Sequence, residues 1–385
     1  VIGRISYILS VFVPFVFLFY YKYSTFFLHG IMPDMPEITL PIGISFYTFQ
    51  LVSYCIDVHY GRAARQKKLV NLIAYVTLFP QLIAGPIVRY TQIEQELADR
   101  YISEEDFAQG SVRFVIGLAK KVLLANVLGE FTQEIAGMTG ESVILAWLYA
   151  ATAAMQIYYD FSGYSDMAIG LGRMFGFHFP ENFRYPYTSR SVTEFWRRWH
   201  ISLGSWFREY VYIPLGGNRK GLYRQIINIA VVWFLTGLWH GASWNFILWG
   251  LYFGVLLMIE KLFMLKVLKK APAIISHIYS IIIILFGWVL FYFENLNEMG
   301  IFLARMFGSD GFMMSGDISV KIISYIPLLI VSAITSTPLI SKLYHKIKSK
   351  PILYVIDNAG CVLALLLCTA ALVSSDYNPF LYYKF

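Results

Sequence analysis

The chain has 385 residues, of which 57% are hydrophobic and only 14% charged, where an ordinary soluble domain has roughly 25% charged. Lys and Arg number 31 against 24 Asp and Glu, a net charge of +7, and the mean hydropathy is +0.57. So much apolar surface cannot be hidden in one soluble core and rules out disorder, while basic residues scattered among apolar runs offer nucleic acid no continuous patch.

The composition predicts an all-α polytopic membrane protein. Crossing about 30 Å of hydrocarbon takes roughly 20 apolar residues on a helix. In chain order the candidate stretches are 5–21, 40–58, 69–83, 111–127, 143–159, 226–239, 244–263, 274–293, 322–339 and 352–373, about ten membrane segments. Pro41 and Pro80 interrupt two of the weaker stretches, and Lys120 and Lys121 sit inside the third. Broken helices at membrane depth are tolerated only inside protein or along a wet cavity, so some segments are expected to be broken or re-entrant. Residues 1–385 read as one membrane domain. The start at Val1 rather than Met predicts a chain truncated at its N-terminus.

Loop charge predicts sidedness. Basic clusters occur at Arg62, Arg65, Lys67 and Lys68, across 176–228, at Lys261, Lys266, Lys269 and Lys270, and at Lys342, Lys346, Lys348 and Lys350. Residues 294–317 instead carry Glu294, Glu298, Asp310 and Asp317 against Arg305. Positive loops face the cytosol, which places the 376–385 tail outside. The cysteines, Cys55, Cys361 and Cys368, form no CxxC pair, and no zinc-type spacing or HExxH occurs, so no bound metal is expected.

Three segments carry chemistry. In 184–220, Trp196, Trp199, Leu203 and Trp206 recur at helical spacing with Arg197, Arg198 and Arg208 among them. This predicts an amphipathic helix at the membrane interface, either a passive anchor against membrane lipid or a cytosolic platform for an anionic ligand. His200 lies among these rings. In 233–250, His240 stands between two apolar segments, 14 residues or about 21 Å of helix beyond Ile226. An ionisable residue at such depth is a functional candidate, the alternative being a packing histidine. Gly237, Gly241, Gly250 and Gly254 supply small-xxx-small spacings for close helix approach. In 158–177, Asp160, Asp166 and Arg173 read as structural, with carboxylates pairing with Arg or capping a helix break. His29, His59, His178, His277 and His345 need no special role. No G-x-S-x-G elbow and no activated Cys is present, so transfer chemistry would run through a base and direct attack.

Together the 184–220 segment, TGLWHGASWNFILWG and YYDFSGYSDMAIGLGRMFGF resemble the membrane-bound O-acyltransferase family, and within it the bacterial alginate O-acetyltransferase branch. PIGISFYTFQLVSYCIDVHYG, FPQLIAGPIVRY and the ending NPFLYYKF share the resemblance. It implies a multi-helix membrane fold with a tunnel meeting at a buried histidine, here His240, and a second characteristic position at His200. It further implies transfer of an acyl group, acetyl in this branch, from a cytoplasmic thioester across a bacterial inner membrane. The donor would be acetyl-CoA or a carrier-bound acyl group, with no bound cofactor. The acceptor would be a polysaccharide or an extracytoplasmic acetyltransferase partner. His240 is then the general base, His200 orients or polarises the thioester carbonyl, and Trp196, Arg197, Arg198, Trp199, Trp239 and Asn245 bind substrate. Family members usually have further helices before the equivalent of 21–27, and commonly an Asp where Asn126 stands. Two competing classes are a transporter or flippase using Asp160, Asp166 and His240, and a non-catalytic scaffold. No inverted repeat supports the transporter.

Overall fold

The computed structural model describes residues 2–28, 38–309, 311, 316–347 and 349–375. His29, Asp310, Lys348 and the 376–385 tail, all used in the sequence reading, lie outside them. Every regular element among the described residues is helical. Five helices are long and apolar enough to cross a membrane: Gly3–Leu28, Gly221–His240, Trp244–Lys270, Ala273–Tyr292 and Pro351–Ser374. They coincide with the predicted stretches 5–21, 226–239, 244–263, 274–293 and 352–373. The 322–339 stretch falls on a shorter apolar segment, Ile322–Thr335.

The weaker stretches depart from simple spans for visible reasons. The 69–83 stretch is split into Leu69–Thr77 and Phe79–Leu82 by an extended Leu78. Pro80 lacks the amide hydrogen that a continuous helix needs there. The 40–58 stretch shortens to the helix Ile44–His59, which starts after Pro41 with Gly43 left-handed at φ 75°. The 111–127 stretch belongs to Glu104–Ala119, which runs through a π-helical turn at Lys120–Asn126 into Val127–Ala136. That helix begins on a Ser103 cap and carries Glu104, Glu105 and Asp106 in its first turn, where carboxylates favour the helix dipole.

The 143–159 stretch is the first half of Val143–Met174, a helix of 32 residues capped by Ser142. This long helix is the central post. Glu104–Ala119 packs along it more extensively than any other pair of elements touch. Glycines make the approach possible: a side chain on Gly170 would sit 2.6 Å from the Gly110 carbonyl oxygen. The interface is tied by charge. Lys121 pairs with Asp160 at 2.6 Å, while Lys120 and Arg113 each reach Asp166 at 2.6 Å. Asp160 and Asp166 are therefore structural, as their sequence context suggests. Arg173, one face with Asp166 on the helix, pairs instead with Asp106 at 2.9 Å across the interface.

The helices Gly221–His240, Trp244–Ile259 and Ala273–Tyr292 run up, down and up. Asn245 Nδ2 donates to the Phe291 carbonyl near one end, and Ser276 Oγ donates to Leu268 O near the other. Gly237 and Gly250 meet where the first two cross, and a methyl on Gly250 would lie 3.0 Å from the Gly237 Cα.

One sequence expectation is corrected. The 192–207 region is not a single amphipathic helix at a lipid boundary. It forms two short helices, Val192–Trp196 and Ile201–Phe207, with His200 left-handed between them at φ 44°. Trp199, Leu203 and Trp206 are buried in the main core. Trp206 stacks on Phe49 at 3.7 Å and gives its indole hydrogen to the Phe49 carbonyl. The periodic aromatic face therefore meets protein. A buried backbone break is permitted there because its polar groups find partners.

Candidate functional site

His240 is the last residue of its helix, and its ring sits edge-on among three aromatics. Ring centroids lie 5.0 Å from Trp239, 4.9 Å from Trp249 and 5.3 Å from Phe291. A helix ending inside a bilayer leaves carbonyls that water cannot reach. Here the N-terminal segment supplies donors. Tyr23 Oη donates to Leu238 O at 2.7 Å, and Lys22 Nζ donates to Trp239 O at 2.6 Å and to His240 O at 3.4 Å. The same ammonium donates to Ser45 Oγ and lies 5.7 Å from the Trp239 ring centroid. A cation at a helix C-terminus is also favoured by the dipole.

His200 stands at the turn between the two short helices, 2% exposed. Its Nδ1 lies 3.1 Å from Asn182 Oδ1. Its ring packs 4.8 Å from Phe161 and 6.0 Å from Trp239, so Trp239 touches both histidines. The short helix before it is anchored by Glu260, which is fully buried. That carboxylate accepts from the backbone amides of Val192 and Thr193 at 2.7 and 2.8 Å and from the Thr193 hydroxyl at 2.6 Å. Orphan amides of a helix start are a natural anion site, and here a side chain fills it.

Three cavities meet around these residues. The first, about 360 Å³, is bordered by Trp196, Arg197, Trp199, His200, Thr236 and His240. The second, about 620 Å³, shares Thr193, Arg197, Arg208, Trp233 and Leu257 with the first and adds Arg219, Lys220 and Lys261. Among the described residues no carboxylate borders it. Among the described residues, no ion pair engages its five cations. The third, about 140 Å³, reaches His240 from Lys22, residues 40–46 and Ile83, with Trp239 of His240's own helix. His240 is the residue common to the first and third.

The predicted site residues thus divide. His200, His240, Trp196, Arg197 and Trp199 line one cavity, and Trp239 lines the other side of His240. Arg198 is turned away, held by Glu194 at 2.6 Å and by the Thr188 hydroxyl at 3.1 Å. Asn245 is fully buried, and the hydrogen bond its Nδ2 donates to Phe291 O ties two helices together. Neither borders the cavities at His240. Sequence reasoning missed Lys22, Asn182 and Glu260. Among the described residues no group of three His, Cys, Asp or Glu could hold a metal ion.

A family model described as the membrane-bound O-acyltransferase family matches residues 64–300, which include His200, His240 and most of the cavity walls. The chain belongs to this family. It is 41% identical over 317 residues to a probable alginate O-acetylase of Azotobacter vinelandii, covering 80% of this chain and 64% of that protein. It is 33% identical over 329 residues to a peptidoglycan O-acetyltransferase of Helicobacter pylori, covering 76% and 62%. It is 29% identical over 228 residues to a teichoic acid D-alanyltransferase of Bacillus subtilis, covering 56% and 58%. The chain thus spans less than two thirds of the length of these curated relatives. Its apolar helices fit the membrane-bound character of the family.

Proposed function

We propose that this chain moves an acyl group, acetyl by its similarity to the alginate and peptidoglycan O-acetyltransferases, from a cytosolic thioester to hydroxyls on the far side of a bacterial inner membrane. The observation that supports this most is that His240 borders two cavities which, apart from its own helix, are built by different segments. One leads to an unpaired basic vestibule suited to a phosphate-bearing donor such as acetyl-CoA or a carrier-bound acyl thioester. The other would admit the acceptor. The relatives' names point to a cell-surface polymer, either directly or through an extracytoplasmic acetyltransferase partner.

In this reading the donor's phosphates rest among Arg197, Arg208, Arg219, Lys220 and Lys261. The thioester lies between Trp196, Trp199 and His240. His240 takes the proton of the acceptor hydroxyl as its oxygen attacks the thioester carbonyl. The C–O bond forms, the C–S bond breaks, and the imidazolium returns the proton to the departing sulfur as a thiol. The transporter alternative gains nothing from the structure, since Asp160 and Asp166 are committed to Lys121, Lys120 and Arg113.

Acetyl transfer from acetyl-CoA in lipid vesicles tests the reading. His240→Ala is expected to lose about 10²-fold or more, the usual worth of a positioned base. Near wild-type turnover in that variant would overturn it.

A further inference from the structure

His200 carries a left-handed backbone, which is uncommon away from glycine. It is non-glycine at φ 44° and ψ 55°, a conformation that persists only where its surroundings enforce it. The enforcing residue is Asn182, which is fully buried. Asn182 O accepts from the Ile201 amide at 3.0 Å, and Asn182 Oδ1 accepts from the Ser202 amide at 3.3 Å. One side chain and its own carbonyl thus hold both amides that follow the strained residue.

The same contacts fix a proton. A backbone N–H can only donate, so the Asn182 atom facing Ser202 must be its oxygen. The other amide atom, Nδ2, donates to Ser165 Oγ at 3.1 Å, which agrees. The Ser202 hydroxyl accepts from the Ile87 amide at 2.9 Å; its own hydrogen goes to Asn182 Oδ1 at 2.8 Å, a much shorter contact than the 3.4 Å to His200 Nδ1. His200 Nδ1 meets that same oxygen at 3.1 Å. Two lone pairs would repel at that distance, so Nδ1 bears the hydrogen. In a neutral ring Nε2 then carries the lone pair.

We infer that Asn182 is a positioning residue that locks His200 as the Nδ1–H tautomer, so that the ring presents Nε2 to the cavity as a hydrogen-bond acceptor. The inference rests on His200 and His240 forming the transfer site. It changes the role expected of His200. Polarising a thioester carbonyl needs an N–H aimed at the substrate, and this tautomer spends its N–H on Asn182. His200 instead receives a polar hydrogen of a substrate, an O–H or N–H, and holds that group beside His240. A wrong tautomer at a catalytic histidine can cost as much as loss of the ring's partner altogether.

The test labels the full chain with ¹⁵N-histidine in lipid vesicles and reads the ring nitrogens by solid-state NMR. The His200 signals are assigned by their loss in His200→Gln. A protonated Nδ1 with a bare Nε2 supports the inference, and a protonated Nε2 overturns it whatever the activity. Kinetics with acetyl-CoA supply the second arm. Asn182→Leu is expected to lower kcat about 10²-fold while KM for acetyl-CoA stays within about threefold, and Asn182→Asp, which keeps the acceptor oxygen, should restore most of kcat. A folded Asn182→Leu protein with wild-type kcat overturns the inference. If Asn182→Leu does not fold, the spectrum and the Asn182→Asp rescue still decide. If His240→Ala and His200→Ala both keep full activity, the transfer site itself has failed, and that outcome is distinct.

Discussion

Three successive carbonyls, those of Leu238, Trp239 and His240, close the helix that presents His240. Lys22 and Tyr23 satisfy them from more than 200 residues away in the chain, and Lys22 has spent all three of its donors once Ser45 is counted. Lys22→Met keeps the aliphatic stem and removes every donor. Unmet buried carbonyls typically cost about 1–3 kcal/mol each. The variant should unfold at lower temperature in detergent and lose acetyl transfer, while Lys22→Arg should recover part of both. A Lys22→Met protein as stable and active as wild type would detach Lys22 from the site. His240 was conspicuous in the sequence because a titratable group deep in an apolar run is costly unless used. Lys22 and Asn182 were not, because their roles exist only through contacts that local periodicity does not encode. Arg198 shows what spacing leaves out: its place beside Trp199 suggests substrate contact, while the structure pairs it locally with Glu194.

Elements repeat this pattern. Long apolar runs with a consistent pitch were readable, and five became the helices able to cross a membrane. The spacing of Trp196, Trp199, Leu203 and Trp206 read as one helix because aromatic periodicity carries straight across a left-handed turn at His200. Nothing in a one-dimensional pattern separates a lipid-facing aromatic stripe from one facing other aromatics. The small-residue spacing did foresee the crossing of Gly221–His240 with Trp244–Ile259. A Cβ on Gly250 would collide with the Trp233 carbonyl oxygen and crowd the Gly237 Cα. Gly250→Leu should therefore force the hairpin apart. Overpacking of this kind costs about 1–3 kcal/mol and would displace Trp233 and Trp249, which pack on Trp196. Lower thermal stability with reduced transfer is expected. Gly360→Leu, at a glycine with open space around it, should leave both unchanged.

At the scale of the whole molecule, charge and helix direction agree. The antiparallel run of 221–240, 244–270 and 273–292 gathers Arg219, Lys220, Arg224, Lys266, Lys269 and Lys270 at one end and Glu294 and Glu298 at the other. The basic vestibule lies with the first set and the Lys22 cavity with the second. His240 closes the helix that starts beside the vestibule, roughly 28 Å along its axis from Gly221. By the positive-inside tendency, the vestibule then opens to the cytosol and the Lys22 cavity lies toward the outside, the polarity that the proposed transfer requires. Single cysteines in a background lacking Cys55, Cys361 and Cys368 test this directly. Asn218→Cys, at the vestibule rim, should react with a membrane-impermeant maleimide only in inside-out vesicles. Asn297→Cys, beyond the third helix, should react only in intact spheroplasts. Labelling of both from the same side would break the link between the cavities and the two faces of the membrane. Reversed labelling would keep the link but place the donor entrance outside, where no cytosolic thioester could reach it.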